Sequence, residues 1–246
     1  MSSSGTEERM ILIGSLDGLD HELWRYMDFL KFVDLLQRSS LWFTRLDQFP
    51  DPYEGALTKP TAEFFAEVRS RTGFRGGINH EKFRKIRCVN CWHMSEYESA
   101  AMWELYSKVA GVAIRSRITR LERAFPAEVT GGSWGIRSNG VRYVDYEKDK
   151  LAGLDEAGSV LMTADYLCKR KSFEHEHEYR LVISLESGED EKVGKHVPVL
   201  LDQLIEQVVV APVAPAWVVE VVRKEVLNHG LNVSVVQSDL YSPLLK

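Results

Sequence analysis

QVVVAPVAPAWVVEVVRKEVLNHGLNVSVV, residues 207–236, reads as strand, helix, strand, and it decides the class of fold. Gln207 to Val210 ends in three valines, the composition of a buried strand. Pro215 begins a helix that runs to Asn228, because a proline ring presets the backbone for a first turn. Gly230 stops that helix in the left-handed position. Val233 to Val236 is a last strand.

Further upstream, Leu23 to Met27 reads as a first strand, Phe29 to Gln37 as a short buried helix and Leu41 to Thr44 as a second strand. Phe49-Pro-Asp-Pro-Tyr-Glu-Gly55 is a turn written in proline and glycine. Residues 60–86 are mostly helical, with breaks at Gly73, Gly76 and Gly77. Arg87 to His93 is a strand. Ser95-Glu-Tyr-Glu98 has the form of a capping box, which predicts a helix through Tyr106. Gly111 to Ile114 is strand and Ile118 to Ala124 helix, followed by a glycine-rich loop from Gly131 to Gly135. Val141 to Val144 is strand, Glu156 to Cys168 is expected to be helix, and Tyr179 to Leu185 alternates as a strand. This irregular alternation implies an α+β fold, a mixed sheet flanked by helices rather than a doubly wound parallel one. With no linker, no repeat and no low-complexity segment, the expectation is a tail and lead-in over 1–20 and a single domain over 21–246.

The 246 residues are 44% hydrophobic and 27% charged, ordinary values for a globular chain able to bury a sizeable core. Thirty-one basic against 36 acidic residues leave a net charge of −5, so no global basic field advertises nucleic acid. Apolar runs such as Gln207 to Ala216 are too short to span a bilayer. The N-terminus lacks the charged region and long apolar stretch of a signal peptide. The three cysteines, Cys88, Cys91 and Cys168, have no disulfide-framework spacing, which suits a reducing cytoplasm.

The segment that departs from a purely structural pattern is Phe173-Glu-His-Glu-His-Glu-Tyr-Arg180. If it is extended, Glu174, Glu176 and Glu178 share one face and His175 and His177 the other. Three carboxylates side by side repel, and are tolerated on a face that meets solvent, cations or a ligand. Lys169, Arg170, Lys171 and Arg180 are at hand as countercharge. The plain reading is a solvated strand end with local ion pairs; the sharper one is an acid pair at a strand start, catalytic or ligand-binding.

Cys88, Cys91 and His93 invite a zinc reading, but four clustered ligands are lacking, and alternation puts Cys88 on the opposite face. No metal site is expected. Arg69, Arg71, Arg75, Lys82, Arg84, Lys85 and Arg87 form a local basic region, a solvated helix face or a contact for phosphates. Neither a P-loop, a dinucleotide fingerprint nor a nucleophile elbow occurs. Trp24, Trp42, Trp92 and Trp103 fall on or beside predicted elements and read as core rather than stacking platforms, with room for one or two to do both.

The order Trp24-Arg-Tyr26, Leu41-Trp-Phe43, Asp51-Pro-Tyr-Glu54, Cys91-Trp92, Glu98-Ser99, Met102-Trp103, Tyr106, Gly111-Val-Ala-Ile114 and Lys169 to Arg180 resembles the bacterial family called domain of unknown function 2971. More distantly, the chain is similar to ADP-ribosyltransferases. That resemblance implies a split mixed sheet, NAD as substrate, and a role as a toxin or phage-defence effector. It implies Arg25 as the first-strand residue and Glu176 and Glu178 as the acid pair. Ser116 or Thr44 would supply the middle hydroxyl, with Tyr26 beside Arg25 in the nucleotide site. Asp51, Glu54, Arg170 and Arg180 are further candidates. The acceptor would be nucleic acid or protein. Two other readings stay open: a non-enzymatic nucleotide or nucleic-acid binding module using the basic region and Arg25, and a magnesium-dependent nuclease or hydrolase with Asp51, Glu54 and the 174–178 acids as oxygen ligands.

Overall fold

The three terminal elements form as read, and they build one edge of the molecule. The computed structural model describes residues 12–13, 19–73, 80–107, 110–130, 135–154, 160–162, 165–185 and 193–243. The chain order of strands is β1 (Leu12–Ile13), β2 (Glu22–Asp28), β3 (Ser40–Arg45), β4 (Arg87–Met94), β5 (Gly111–Arg117), β6 (Arg137–Gly140) and β7 (Arg142–Val144). These are followed by β8 (Ala152–Leu154), β9 (Val160–Met162), β10 (Cys168–Arg170), β11 (Glu178–Ser184), β12 (Gly194–Pro198), β13 (Gln207–Val210) and β14 (Ser234–Gln237). The helices are α1 (Phe29–Arg38), α2 (Lys59–Thr72), α3 (His80–Ile86), α4 (Ala100–Tyr106), α5 (Ile118–Arg123), α6 (Ala127–Thr130), α7 (Leu201–Leu204) and α8 (Ala216–Asn228).

In α8, Val218, Val222 and Val226 recur every fourth residue and are the buried stripe. Gly230 has φ +70°, the left-handed value its position requires. The helix carries the chain from β13 to β14, which lie side by side in parallel. At the other end of the fold, Asp28 caps α1 by accepting the Lys31 amide at 2.9 Å. Phe32, Leu35 and Leu36 of that helix enter the core.

Among the described residues the main sheet has ten strands, in the order β1-β6-β11-β4-β2-β5-β13-β14, with β3 and β12 branching from β4. Most neighbours are antiparallel; β1 with β6 and β13 with β14 are parallel. The mixed sheet with flanking helices expected from the sequence is what is found.

The branch at β4 is the feature that places the site. One edge of β4 pairs with β11 along seven residues, from Arg87 to His93. Its other edge is divided: β2 takes His93 and Met94, while β3 takes Cys88 and Val89. Between them, on this edge, no described strand pairs with Asn90, Cys91 or Trp92, and the sheet splits. Side chains close the wound. Arg25 Nη1 donates to the Cys91 carbonyl at 2.5 Å, and Asn90 Nδ2 donates to the Trp42 carbonyl at 2.8 Å. Trp92 Nε1 in turn donates to Asn90 Oδ1 at 2.7 Å.

Three expectations are corrected. Within the predicted helix 156–168, the described residues form β9, a 3-10 turn at Asp165–Leu167 and the first residue of β10. A short apolar run such as Val160-Leu-Met162 carries too few turns to distinguish helix from strand, and pairing with β8 decides it. Helix α4 starts later than the capping box implied. Ser99 is its cap, accepting the Met102 amide at 3.3 Å, whereas the Ser95 hydroxyl closes a local turn with Tyr97. Third, Lys171–Glu176 is 3-10 helix and His177 sits at φ +41°, so the acids at 174, 176 and 178 are not on one extended face. Gly76, Gly77, Arg75, most of the 1–20 lead-in and Gly131 to Trp134 of the glycine-rich loop lie outside the described residues.

Candidate active site

Register fixes which side chains can meet at the split. Glu178 pairs with His93, and His93 with Trp24, so these three emerge on one face of the sheet. Arg25, next to Trp24, emerges on the other. In an unbroken sheet the backbone would keep Arg25 and Glu178 apart. The gap beside Asn90, Cys91 and Trp92 lets both reach a single cavity of about 510 Å³, within the ordinary range for small-molecule sites. Tyr26, Thr44, Cys91, Trp92, Tyr106, Lys169 and Glu176 also line it.

The turn at His177 is what aims the acids. Glu174 and His175 stay exposed on the 3-10 segment while Glu176 turns inward, and β11 then begins at Glu178. Lys169 Nζ lies 2.5 Å from Glu176 Oε2, 3.4 Å from Glu178 Oε2 and 3.5 Å from Glu54 Oε1. Arg180, with no exposed surface, grips both oxygens of Glu178: Nε to Oε1 at 3.0 Å and Nη2 to Oε2 at 2.8 Å. Its Nη1 donates to Glu54 Oε2 at 3.0 Å and to the Tyr166 carbonyl at 2.8 Å. The Tyr106 hydroxyl donates to Glu176 Oε1 at 3.2 Å. The Glu178 amide donates to the Tyr143 hydroxyl at 2.8 Å.

The electrostatics follow from this mutual pairing. Burial alone would keep Glu178 protonated, but Arg180 and Lys169 override it and bring its carboxyl down to about 2. Burial would likewise strip the Lys169 and Arg180 protons; Glu178 and Glu54 reverse that and raise both. Arg25 is lowered by burial, with Cys91 and Glu178 opposing. Burial pushes the Cys91 thiol well up, and the Glu178 charge adds to it, so this is no reactive thiolate. Burial keeps His93 below the usual histidine range; its Nδ1 lies 2.6 Å from the Glu176 carbonyl oxygen.

Of the residues singled out in the sequence, Arg25, Tyr26, Thr44, Glu176 and Glu178 converge on the cavity. Ser116 does not: it is fully buried and its hydroxyl donates to the Leu204 carbonyl at 2.6 Å. Glu54 and Arg180 stand behind Glu178 as its buried supports. Asp51 is held apart by Arg170 Nε at 3.0 Å and by the Tyr53 amide at 3.1 Å, with the Arg170 guanidinium over the Tyr53 ring. Among the described residues no group of three or more His, Cys, Asp or Glu is placed to hold a metal ion. In the basic region, Arg69, Arg71, Lys82 and Lys85 are exposed, and Arg87 lies between the rings of Phe83 and Tyr166. No helix among the described residues is long and apolar enough to cross a membrane.

Sequence reasoning gave Lys169 only as countercharge, His93 only as a candidate zinc ligand and Tyr106 only as a helix end within the family resemblance, and it missed His196 at the cavity. The first three carried a signal, but none that pointed to this site.

No family model matches the chain, so the resemblance to domain of unknown function 2971 gains no support there, and no curated protein matches it. Among solved structures the chain is similar to Thermus sp. 2.9 DarT in complex with NAD+, with a TM-score of 0.37 and 10% identity over 88% of this chain and 94% of that one. The complex of the same protein with ADP-ribosylated ssDNA gives a TM-score of 0.36 and 12% identity, covering 88% and 93%. Its complex with carba-NAD+ gives 0.36 and 11%, covering 89% and 95%.

Proposed function

We propose that the chain is an ADP-ribosyltransferase-type enzyme that takes NAD as substrate, with Arg25, Glu176 and Glu178 as its working residues. The observation that supports this is the convergence of Arg25 and Glu178, from opposite faces of the sheet, and of Glu176, from the adjoining 3-10 turn, on one cavity at the split. Arg25 spends Nη1 on the Cys91 carbonyl and keeps its remaining N–H groups for the pyrophosphate. Breaking the bond between ribose C1′ and the nicotinamide nitrogen sends the electron pair to the ring and leaves positive charge on the ribose. Glu178, ionised across the whole physiological range, stabilises that charge. It is too weak a base to take a proton. Glu176 is the group for that step: the acceptor nucleophile bonds to C1′ and its proton passes to Glu176, at the oxygen that Tyr106 otherwise occupies. The acceptor belongs to nucleic acid or protein.

The test is calorimetric titration with NAD alongside chromatographic detection of free nicotinamide. Glu176→Gln is expected to hold the NAD Kd within about threefold while lowering nicotinamide release about 100-fold or more. No NAD binding at millimolar concentration, or release unchanged in that variant, overturns the reading. One observation favours a second reading, a binding module without catalysis: Glu54, Glu176 and Glu178 are all ion-paired to Lys169 or Arg180. NAD binding with no nicotinamide release in the wild type selects it.

A further inference from the structure

We infer that the cavity carries a separate nucleobase subsite, with the indole of Trp42 as its stacking platform and His196 and Asp34 at the edge of the base. This rests on the dinucleotide reading above and deepens it.

The platform is prepared by a glycine. Trp42 pairs with His196 across β3 and β12, and Gly194 is the next residue of β12 on the same face. A Cβ on Gly194 would lie 2.4 Å from Cζ2 and 2.8 Å from Cε2 of the Trp42 ring, and 2.4 Å from the Phe43 carbonyl oxygen. Only a residue without a side chain lets the indole lie down on the neighbouring strand. One ring face therefore rests on backbone. Trp42 nevertheless keeps 36% of its surface exposed and lines the cavity, unlike Trp24, Trp92 and Trp103, which are buried. A large aromatic held flat, half open and facing a cavity is suited to a planar heterocycle, since every base presents a π-face.

The polar groups at its rim fit the edge of such a ring. His196 meets the indole edge-on with centroids 4.8 Å apart, and its Nδ1 is 3.0 Å from Ser40 Oγ. That contact fixes the ring and leaves Nε2 for a ligand, 4.0 Å from Asp34 Oδ2. Asp34 spends its other oxygen on Arg38, at 2.6 Å. Ser40, Asp34, Lys31 and His196 all line the same cavity as Glu178.

Topology says which half of a dinucleotide belongs here. Glu178 is on β11 and Gly194 on β12, with β4 and β3 between them. At ordinary strand spacing that is about 15 Å. The nicotinamide ribose must sit at the carboxylates, where its bond breaks. The other nucleoside then falls at Trp42.

Calorimetry with AMP, nicotinamide mononucleotide and NAD on the full chain separates the possibilities. Trp42→Ala is expected to weaken AMP and NAD about 10- to 100-fold and to leave nicotinamide mononucleotide within about twofold. Trp42→Phe keeps an aromatic face and is expected to stay within about threefold for all three, which guards against a folding defect in the alanine variant. His196→Ala is expected to weaken AMP about 3- to 10-fold, again sparing the mononucleotide. NAD binding that survives Trp42→Ala unchanged overturns the subsite and leaves the NAD reading standing. Equal loss of AMP and nicotinamide mononucleotide also overturns it. AMP binding that depends on Trp42, with no binding of NAD, supports the subsite and removes the NAD reading. Failure of all three ligands to bind removes both.

Discussion

Arg180 is the residue on which the site's electrostatics turn, since it carries Glu178 on one side and Glu54 on the other with no access to water. Such a network is costly to break at one member, because the remaining charges are left buried and unmatched. Glu178→Gln is therefore expected to lose on the order of 3–5 kcal/mol of unfolding free energy by denaturant titration. Glu176→Gln should lose about 1–3 kcal/mol, because Lys169 still has Glu178 and Glu54. This difference is why Glu176, rather than Glu178, is the variant in which activity can be read apart from folding. The same network makes a pH prediction. The Glu178 carboxyl moves from its ordinary 4.5 down to about 2 on folding, so its contribution is complete above 4.5 and drains away as pH falls toward 2. The amount is on the order of 3 kcal/mol. Lys169 is raised, so what it contributes is complete below 10.5 and drains away as pH climbs from there toward its raised value. Stability should drop between pH 5 and 3, hold level from 7 to 8, and fall again above 9, where burial keeps the Cys91 and Cys168 thiols protonated in the folded chain alone. A Glu178→Gln protein whose acid limb is as steep as that of the wild type would contradict the assignment.

At the scale of elements, the sheet is interrupted where three residues of β4 lose their neighbour, and side chains stand in for it. Asn90 ties β4 to β3 across the gap through the Trp42 carbonyl, accepts from Trp92 two residues on in its own strand, and is 1% exposed. Asn90→Ala strands a part-buried carbonyl and a buried indole N–H, and should cost about 2–6 kcal/mol in denaturant titration, counting about 1–3 for each orphaned group. Most individual elements could be read from the sequence, because strand and helix periodicities are local: β2, α1, β3, β4, β13 and α8 all lie within a few residues of their expected ends. The misreadings have physical causes. Ser95 and Ser99 are both good caps four residues apart, and the choice between them is made by where Tyr26 meets the chain, its hydroxyl accepting the Ser99 amide at 2.9 Å. Ser99→Ala should therefore cost about 1 kcal/mol, and Ser95→Ala measurably less. The left-handed turn at His177, which aims Glu176 and Glu178, falls at a residue whose type does not announce it. No local pattern marks the gap in β4 either, since it depends on how far β2 and β3 diverge.

For the whole molecule, the split turns one cavity into a bridge between two halves of the sheet, and a ligand long enough to span it should behave differently from its parts. Arg25 and the glutamates lie at one end, Trp42 and His196 at the other, and only the first group was legible, because a flattened tryptophan is made by a glycine 152 positions away in sequence. Tethering two ligands makes the second contact intramolecular, at an effective concentration in the millimolar range or above. Two separate mononucleotides at about 0.1 mM each lie below that, so the joined molecule has the advantage. NAD at about 0.1 mM should then raise the thermal midpoint by more than AMP and nicotinamide mononucleotide supplied together at the same concentration. At 100 times its Kd the gain is about 2.7 kcal/mol, or about 5–10 °C for a chain of this size. An NAD shift no larger than that of AMP alone would mean that the two ends do not act on one ligand, and that the cavity binds a mononucleotide.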